Sequence, residues 1–90
     1  MNTIKPSTRF AKDMKTITKR GYQIDLLTTV LKTLAAGKAL AKKHNDHFLK
    51  GNYTGCREFH ITPDWLLIYE IDEDDSILYL IRTGTHGDLF

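Results

Sequence analysis

Arg57-Glu58-Phe59-His60-Ile61-Thr62-Pro63-Asp64-Trp65-Leu66-Leu67-Ile68-Tyr69 is the stretch from which the fold can be read. Cys56 to Ile61 alternates with the period of two that marks a half-buried strand. Thr62-Pro63-Asp64 is turn chemistry, because proline presets φ and aspartate hydrogen-bonds its own backbone. Trp65 to Ile71 then runs apolar on both faces, as a central strand does. A two-stranded ribbon does not hold together alone in water, so other elements must pack on it. Its turn end collects a histidine, a carboxylate and a tryptophan, and loop ends on a stiff scaffold are where binding and catalytic groups are commonly mounted.

Toward the N-terminus, Thr3-Ile4-Lys5 predicts a short strand ending before Pro6, which has no N–H for a ladder. Ser7 or Thr8 can cap a helix running to Arg20, in which Phe10, Met14 and Ile17 form an apolar stripe beside Ala11. Lys12, Lys15 and Lys19 repeat on the far side, with Arg9 nearby. Gly21 interrupts the chain, and a second helix is expected from Gln23 to Ala36. Its rows Leu26, Val30, Leu34 and Leu27, Leu31 predict a broad apolar face, with Asp25 at the positive end of the helix and Gly37 as the stop. Residues 38–52 carry no sustained periodicity and are expected to be an ordered functional loop, pinned by Leu40, Phe48 and Leu49 and delivering His44 and His47. Beyond the ribbon, Asp72-Glu73-Asp74-Asp75 makes an acidic turn, Ile77 to Ile81 a last antiparallel strand, and Arg82 to Phe90 a polar tail. The expectation is one α+β domain over residues 1–90 in the order β-α-α-β-β-β. In it a helix hairpin packs on a small antiparallel sheet, four-stranded if the first strand pairs.

Composition narrows the function. One cysteine, Cys56, leaves no internal disulfide framework and fits a reducing compartment. No apolar run approaches the roughly 20 residues of a membrane helix, and the first residues lack the apolar core of a signal peptide, so a soluble cytoplasmic protein is expected, with no membrane partner. The net charge of +2 hides an asymmetry. Residues 1–51 carry 11 lysines and arginines against Asp13, Asp25 and Asp46, whereas residues 52–90 carry Arg57 and Arg82 against eight acids. A front half of +8 facing a back half of −6 fits either a polyanionic partner such as nucleic acid or a lysine-rich solvated face.

The expected topology gathers His60, Asp64, Arg82 and His86 at one end of the sheet, with His47 arriving on the preceding loop. Taken singly these are ordinary: a hydrogen-bonded strand histidine, a turn acid, an Arg82 bridge to Glu58 or Asp64, and Trp65 in the core. Together they suit metal-free cleavage of RNA. A base removes the 2′-OH proton, an acid protonates the departing 5′-oxygen, and a fixed cation balances the charge growing on phosphorus. Trp65 and Phe90 can stack on splayed bases, while Lys12, Lys15 and Lys19 can ride on phosphates. His44, His47, His60 and Asp64 could instead hold zinc, but the His-x-x-His spacing is weak and Arg82 would repel a cation, so no metal or other cofactor is expected.

The runs Asp46-His47-Phe48-Leu49-Lys50-Gly51, Gly55 to Tyr69 with its His-x-x-Pro-Asp-Trp core, and Arg82-Thr83-Gly84-Thr85-His86 with Leu89-Phe90 closely resemble the YafQ branch of the RelE/ParE toxin superfamily. The resemblance covers about half the chain at motif level. It implies a RelE-like fold and a type II toxin that cuts mRNA in the ribosomal 30S A site and is silenced by a cognate antitoxin. It further implies that His47, His60, Asp64, Arg82, His86 and Phe90 form the site, with His86 as general acid and Arg82 as phosphate clamp. The base stays open among His47, His60 and Asp64, and Trp65 between substrate positioning and packing. The lysine-, arginine- and tyrosine-based site of the RelE branch is not matched. Ribosomal RNA becomes the expected partner of the basic first helix. A ParE-like toxin acting on gyrase without chemistry, or a silent RNA-binding module, would share the fold but have no use for the histidines.

Overall fold

A computed structural model of the chain describes residues 2–37, 47–48 and 53–90. The elements are β1 (Thr3–Pro6), α1 (Thr8–Lys19), α2 (Ile24–Ala35), β2 (His47–Phe48), β3 (Arg57–Thr62), β4 (Trp65–Asp72), β5 (Ile77–Gly84) and a helical turn, α3 (His86–Leu89). They form a single sheet in the order β1-β5-β4-β3-β2. The α+β class and the underlying order of helices and strands are those read from the sequence; the expected tail adds the helical turn α3, and the sheet differs in three details.

First, the sheet is mixed. β1 pairs in parallel with β5, placing Thr3 opposite Ile77 and Pro6 opposite Leu80, while the other pairings are antiparallel. β1 is exposed throughout and lies at the sheet edge, where the missing N–H of Pro6 costs little. Second, a two-residue strand, β2, lies in the stretch expected to be loop; His47 stands in register with Glu58 and Phe48 with Arg57. His44, Leu40 and Leu49 lie outside the described residues, as do the side chains of His47 and Phe48. Third, β5 continues past Ile81 to Gly84, so Arg82 belongs to the sheet and not to the tail. The register steps between Ile68 and Tyr69, whose partners are Arg82 and Leu80, leaving Ile81 as an extra residue. Such a bulge shifts the side-chain alternation by one. Leu78 and Leu80 face the helices, and simple alternation would send Arg82 there too; the bulge puts Thr83 on that face instead.

Each helix is fixed by local chemistry and then by burial. The Ser7 hydroxyl caps α1 by accepting the Phe10 N–H at 2.9 Å, and donates its own proton to the Ile81 carbonyl. Gly21, at φ 80°, supplies the left-handed residue that turns the chain from α1 into α2. Phe10 and Ile17 of α1 and Leu27, Val30 and Leu34 of α2 are buried on one sheet face against Phe59, Ile61, Trp65, Leu67, Tyr69, Leu78 and Leu80. Leu26, expected on the apolar face of α2, is exposed, so that face is narrower than the leucine rows suggested. On the other sheet face Leu66 and Ile68 are buried with Cys56 and Leu89, flanked by Tyr53 and Ile81. Burial, aided by the charge of Glu70, pushes the Cys56 thiol up, which makes it a poor nucleophile near neutral pH. Among the described residues, no helix is long and apolar enough to cross a membrane.

Leu67, completely buried, is expected to cost about 2–5 kcal/mol when replaced by alanine. Leu26→Ala, on a residue already exposed, should change stability by no more than about 0.5 kcal/mol. Urea unfolding of both variants checks the contrast.

Candidate active site

Glu58 and His60 lie two apart on β3 and therefore share a sheet face. The Glu58 carboxylate is buried, and its Oε1 lies 3.0 Å from His60 Nε2. The tail brings a second imidazole to this pair. Thr85 caps the helical turn α3, its hydroxyl accepting the Asp88 N–H at 3.2 Å while Asp88 Oδ2 accepts the Thr85 N–H at 2.9 Å. His86 opens that turn, and Leu89 anchors it on Leu66 and Ile68. The His86 ring centroid lies 5.9 Å from that of His60 and 5.6 Å from that of Phe90, and Phe90 meets Tyr53 edge-on at 5.7 Å.

Arg82 completes one side of this row. Its Nε and Nη2 donate to the two Asp13 oxygens at 2.8 and 2.9 Å, and the Thr83 amide donates to the same carboxylate at 3.1 Å. Asp13 foremost, with the neighbouring Tyr53 hydroxyl and against the effect of burial, holds the Arg82 guanidinium above its ordinary range. The expected Arg82 partners, Glu58 and Asp64, are thus replaced by an acid on α1, because the bulge carries Arg82 to the sheet margin where α1 passes. A second bridge lies two helical turns further along α1. Arg20 grips both Asp88 oxygens, at 2.6 and 3.0 Å, and with the Thr85 amide holds the Asp88 carboxyl well below the usual carboxylate range.

Not every predicted residue joins. Asp64 is exposed and lies with Trp65, Tyr22 and Thr62 in a separate cleft of about 280 Å³ beside the α1–α2 turn. Trp65 is only 2% exposed. Its indole N–H donates to Thr83 Oγ1 at 2.8 Å, and its ring packs edge-on against Tyr22. It is a core residue, the packing role of the two left open for it, because the first residue of the central strand lies beneath the helices. Phe90 is 60% exposed. Lys12, Lys15 and Lys19 are exposed on α1, as expected. His47 enters only through its place opposite Glu58. The sequence reading missed Asp13 and Tyr53 and took Glu58 only as a partner for Arg82. The signals available were the period-two spacing of Glu58 and His60, and Asp13 standing as the only acid before Asp25 in a basic run.

The family model described as bacterial toxin of type II toxin–antitoxin system, YafQ, matches residues 2–90. The chain belongs to the YafQ family. An mRNA interferase toxin YafQ of Escherichia coli K12 is 36% identical over 88 residues, spanning 97% of this chain and 94% of that protein. A metal-bound toxin from Helicobacter pylori superposes with a TM-score of 0.93 at 43% identity, with each chain fully covered. YafQ in the Escherichia coli DinJ–YafQ complex superposes with a TM-score of 0.90 at 34% identity, covering 100% of this chain and 99% of that one. Likeness of this extent makes the fold of the described residues that of the YafQ toxins, helices and tail included.

The Asp88 bridge has a pH signature. Because its folded carboxyl titrates below the unfolded value, it stabilises the protein above about pH 4 and that contribution fades as pH falls through the folded value. Asp88→Asn should therefore be less stable than the parent at pH 6, with the gap closing toward pH 2 and narrowing in high salt. Thermal melts across pH report it.

Proposed function

We propose that this chain is an mRNA interferase, a ribosome-dependent endoribonuclease held silent by a cognate antitoxin, and that it cuts by metal-free acid–base chemistry. The observation that carries the reading is the pair of imidazoles 5.9 Å apart, one backed by a buried carboxylate, beside a guanidinium fixed on the same margin. Two histidines at this separation can flank one phosphodiester, a carboxylate-backed ring taking a proton while the other gives one. The relatives named as mRNA interferases support the reading, and the DinJ–YafQ complex supports an antitoxin partner.

In this mechanism the 2′-oxygen attacks the adjacent phosphorus as its proton passes to His60. The Glu58 carboxylate, 3.0 Å from His60 Nε2, orients the ring and stabilises the imidazolium that forms. Arg82 faces the phosphate oxygens as charge builds on them. The P–O5′ bond breaks, His86 supplies the proton to the leaving 5′-oxygen, and a 2′,3′-cyclic phosphate remains. Phe90 stacks on a base next to the cut. His47 and Asp64 are assigned to holding the message around the cut rather than to the proton transfers.

The test is translation of a defined message in vitro with the toxin added, followed by primer extension. Cuts within codons that require ribosomes are expected, and His86→Ala should slow them on the order of 100-fold or more while still binding antitoxin. Full cutting by His86→Ala defeats the mechanism, and an intact message defeats the enzyme reading. The exposed lysines of α1 position the toxin on ribosomal RNA through phosphates, without reading sequence. Reversing Lys12, Lys15 and Lys19 to glutamate should weaken ribosome co-sedimentation and make what remains less sensitive to salt, with the melting curve little changed.

A further inference from the structure

Arginine offers five N–H donors in a rigid plane, and Asp13 takes two of those on Arg82, along the Nε–Nη2 edge. The Thr83 amide brings a third donor to the same carboxylate. Both side chains are only 14% exposed, so the pair is a shielded bidentate clamp and not the loose surface bridge whose contribution is small. A guanidinium gripped along that edge has a fixed plane, and its Nη1–Nη2 edge, in a group that the Tyr53 hydroxyl also approaches, is the one that can take two oxygens of a second anion. Helix attachment alone does not require this arrangement. α1 is already tied to β5 at its start, through the Ser7 amide on Leu80 and the Ser7 hydroxyl on Ile81, and to the tail at its end, through Arg20 on Asp88.

We propose that Asp13 is the positioning residue of the phosphate clamp: it sets the plane of Arg82 so that the Nη1–Nη2 edge meets the scissile phosphate. The inference rests on the reading of Arg82 as that clamp. Asp13 does not touch substrate; it acts by allowing Arg82 one orientation, and misplacement of a binding group by about 1 Å costs on the order of 100-fold in rate.

Single-turnover cleavage on ribosomes is measured for Asp13→Ala, Arg82→Ala and the double variant, alongside the NMR signal of the Arg82 Nε–H. Asp13→Ala is expected to slow cleavage ten- to a hundredfold, on the order implied by such misplacement. In the Arg82→Ala background it should cost no more than about twofold. The Nε–H resonance should move toward that of free arginine. Asp13→Asn, which keeps shape and one acceptor oxygen, should fall between, and it replaces the alanine variant in the same cycle if that variant does not fold. A wild-type rate for Asp13→Ala, or an equal loss in both backgrounds, overturns the proposal, the latter because it is what a structural staple would give. A wild-type rate for Arg82→Ala overturns the clamp reading and this inference with it; that case is recognised by an Nε–H signal that still responds to Asp13 while cleavage does not.

Discussion

The structure turns on one requirement: five consecutive residues of β4, Trp65 to Tyr69, must be kept dry on both faces. Alternate side chains point to opposite sides, so Trp65, Leu67 and Tyr69 need one cover and Leu66 and Ile68 another. α1 and α2 supply the first. The second is supplied largely by Leu89 of the tail, with Cys56, Tyr53 and Ile81. The segment that carries His86 and Phe90 is therefore held over the sheet by hydrophobic demand, and the chemistry rides on a piece of core packing. This explains how a turn of four residues, far too short to persist alone, presents a histidine reproducibly.

Electrostatics finishes what burial begins. Among the described residues, three charge pairs brace this part of the fold: Glu58 with His60, Asp13 with Arg82, and Asp88 with Arg20. Two of the three pairs reach across to the α1 segment, and in each the carboxylate also accepts a backbone amide, Thr83 of β5 for Asp13 and Thr85 for Asp88. The helix thus faces two ways. Its inner polar residues Asp13 and Arg20 bond β5 and the tail, and its outer lysines are exposed, giving the basic surface seen in the composition.

How far the sequence could be read follows from the range of the interactions involved. Elements set by local periodicity were legible: both helices, the β3–β4 hairpin with Pro63 at its turn, and the acidic turn before β5. The parallel pairing of β1 was not, because nothing within Thr3 to Pro6 names a partner beginning at Ile77. The bulge at Ile81 was hidden because Arg82-Thr83-Gly84 has a loop composition and becomes strand only through its partners on β4. In the site, His60, His86, Arg82 and Phe90 could be chosen from their chemistry. Asp13 could not, since its meaning depends on a contact spanning 69 residues. Trp65 was left open between substrate positioning and packing, because an aromatic beside a turn suits either; burial beneath two helices makes it a beam of the core.

The span of those contacts also governs time. Asp13 meets Arg82 across 69 positions, Arg20 meets Asp88 across 68, and the Ser7 hydroxyl reaches Ile81 across 74. Closure of such long loops slows folding, because entropy is lost before any contact rewards it. During synthesis, α1 and the β3–β4 hairpin leave the ribosome before β5 and the tail exist to join them. The row of Arg82, His86, His60 and Glu58 therefore cannot assemble until the last strand and the turn behind it are free. A growing chain lacks this row of side chains, and the interval before completion is one in which a partner can find the protein first.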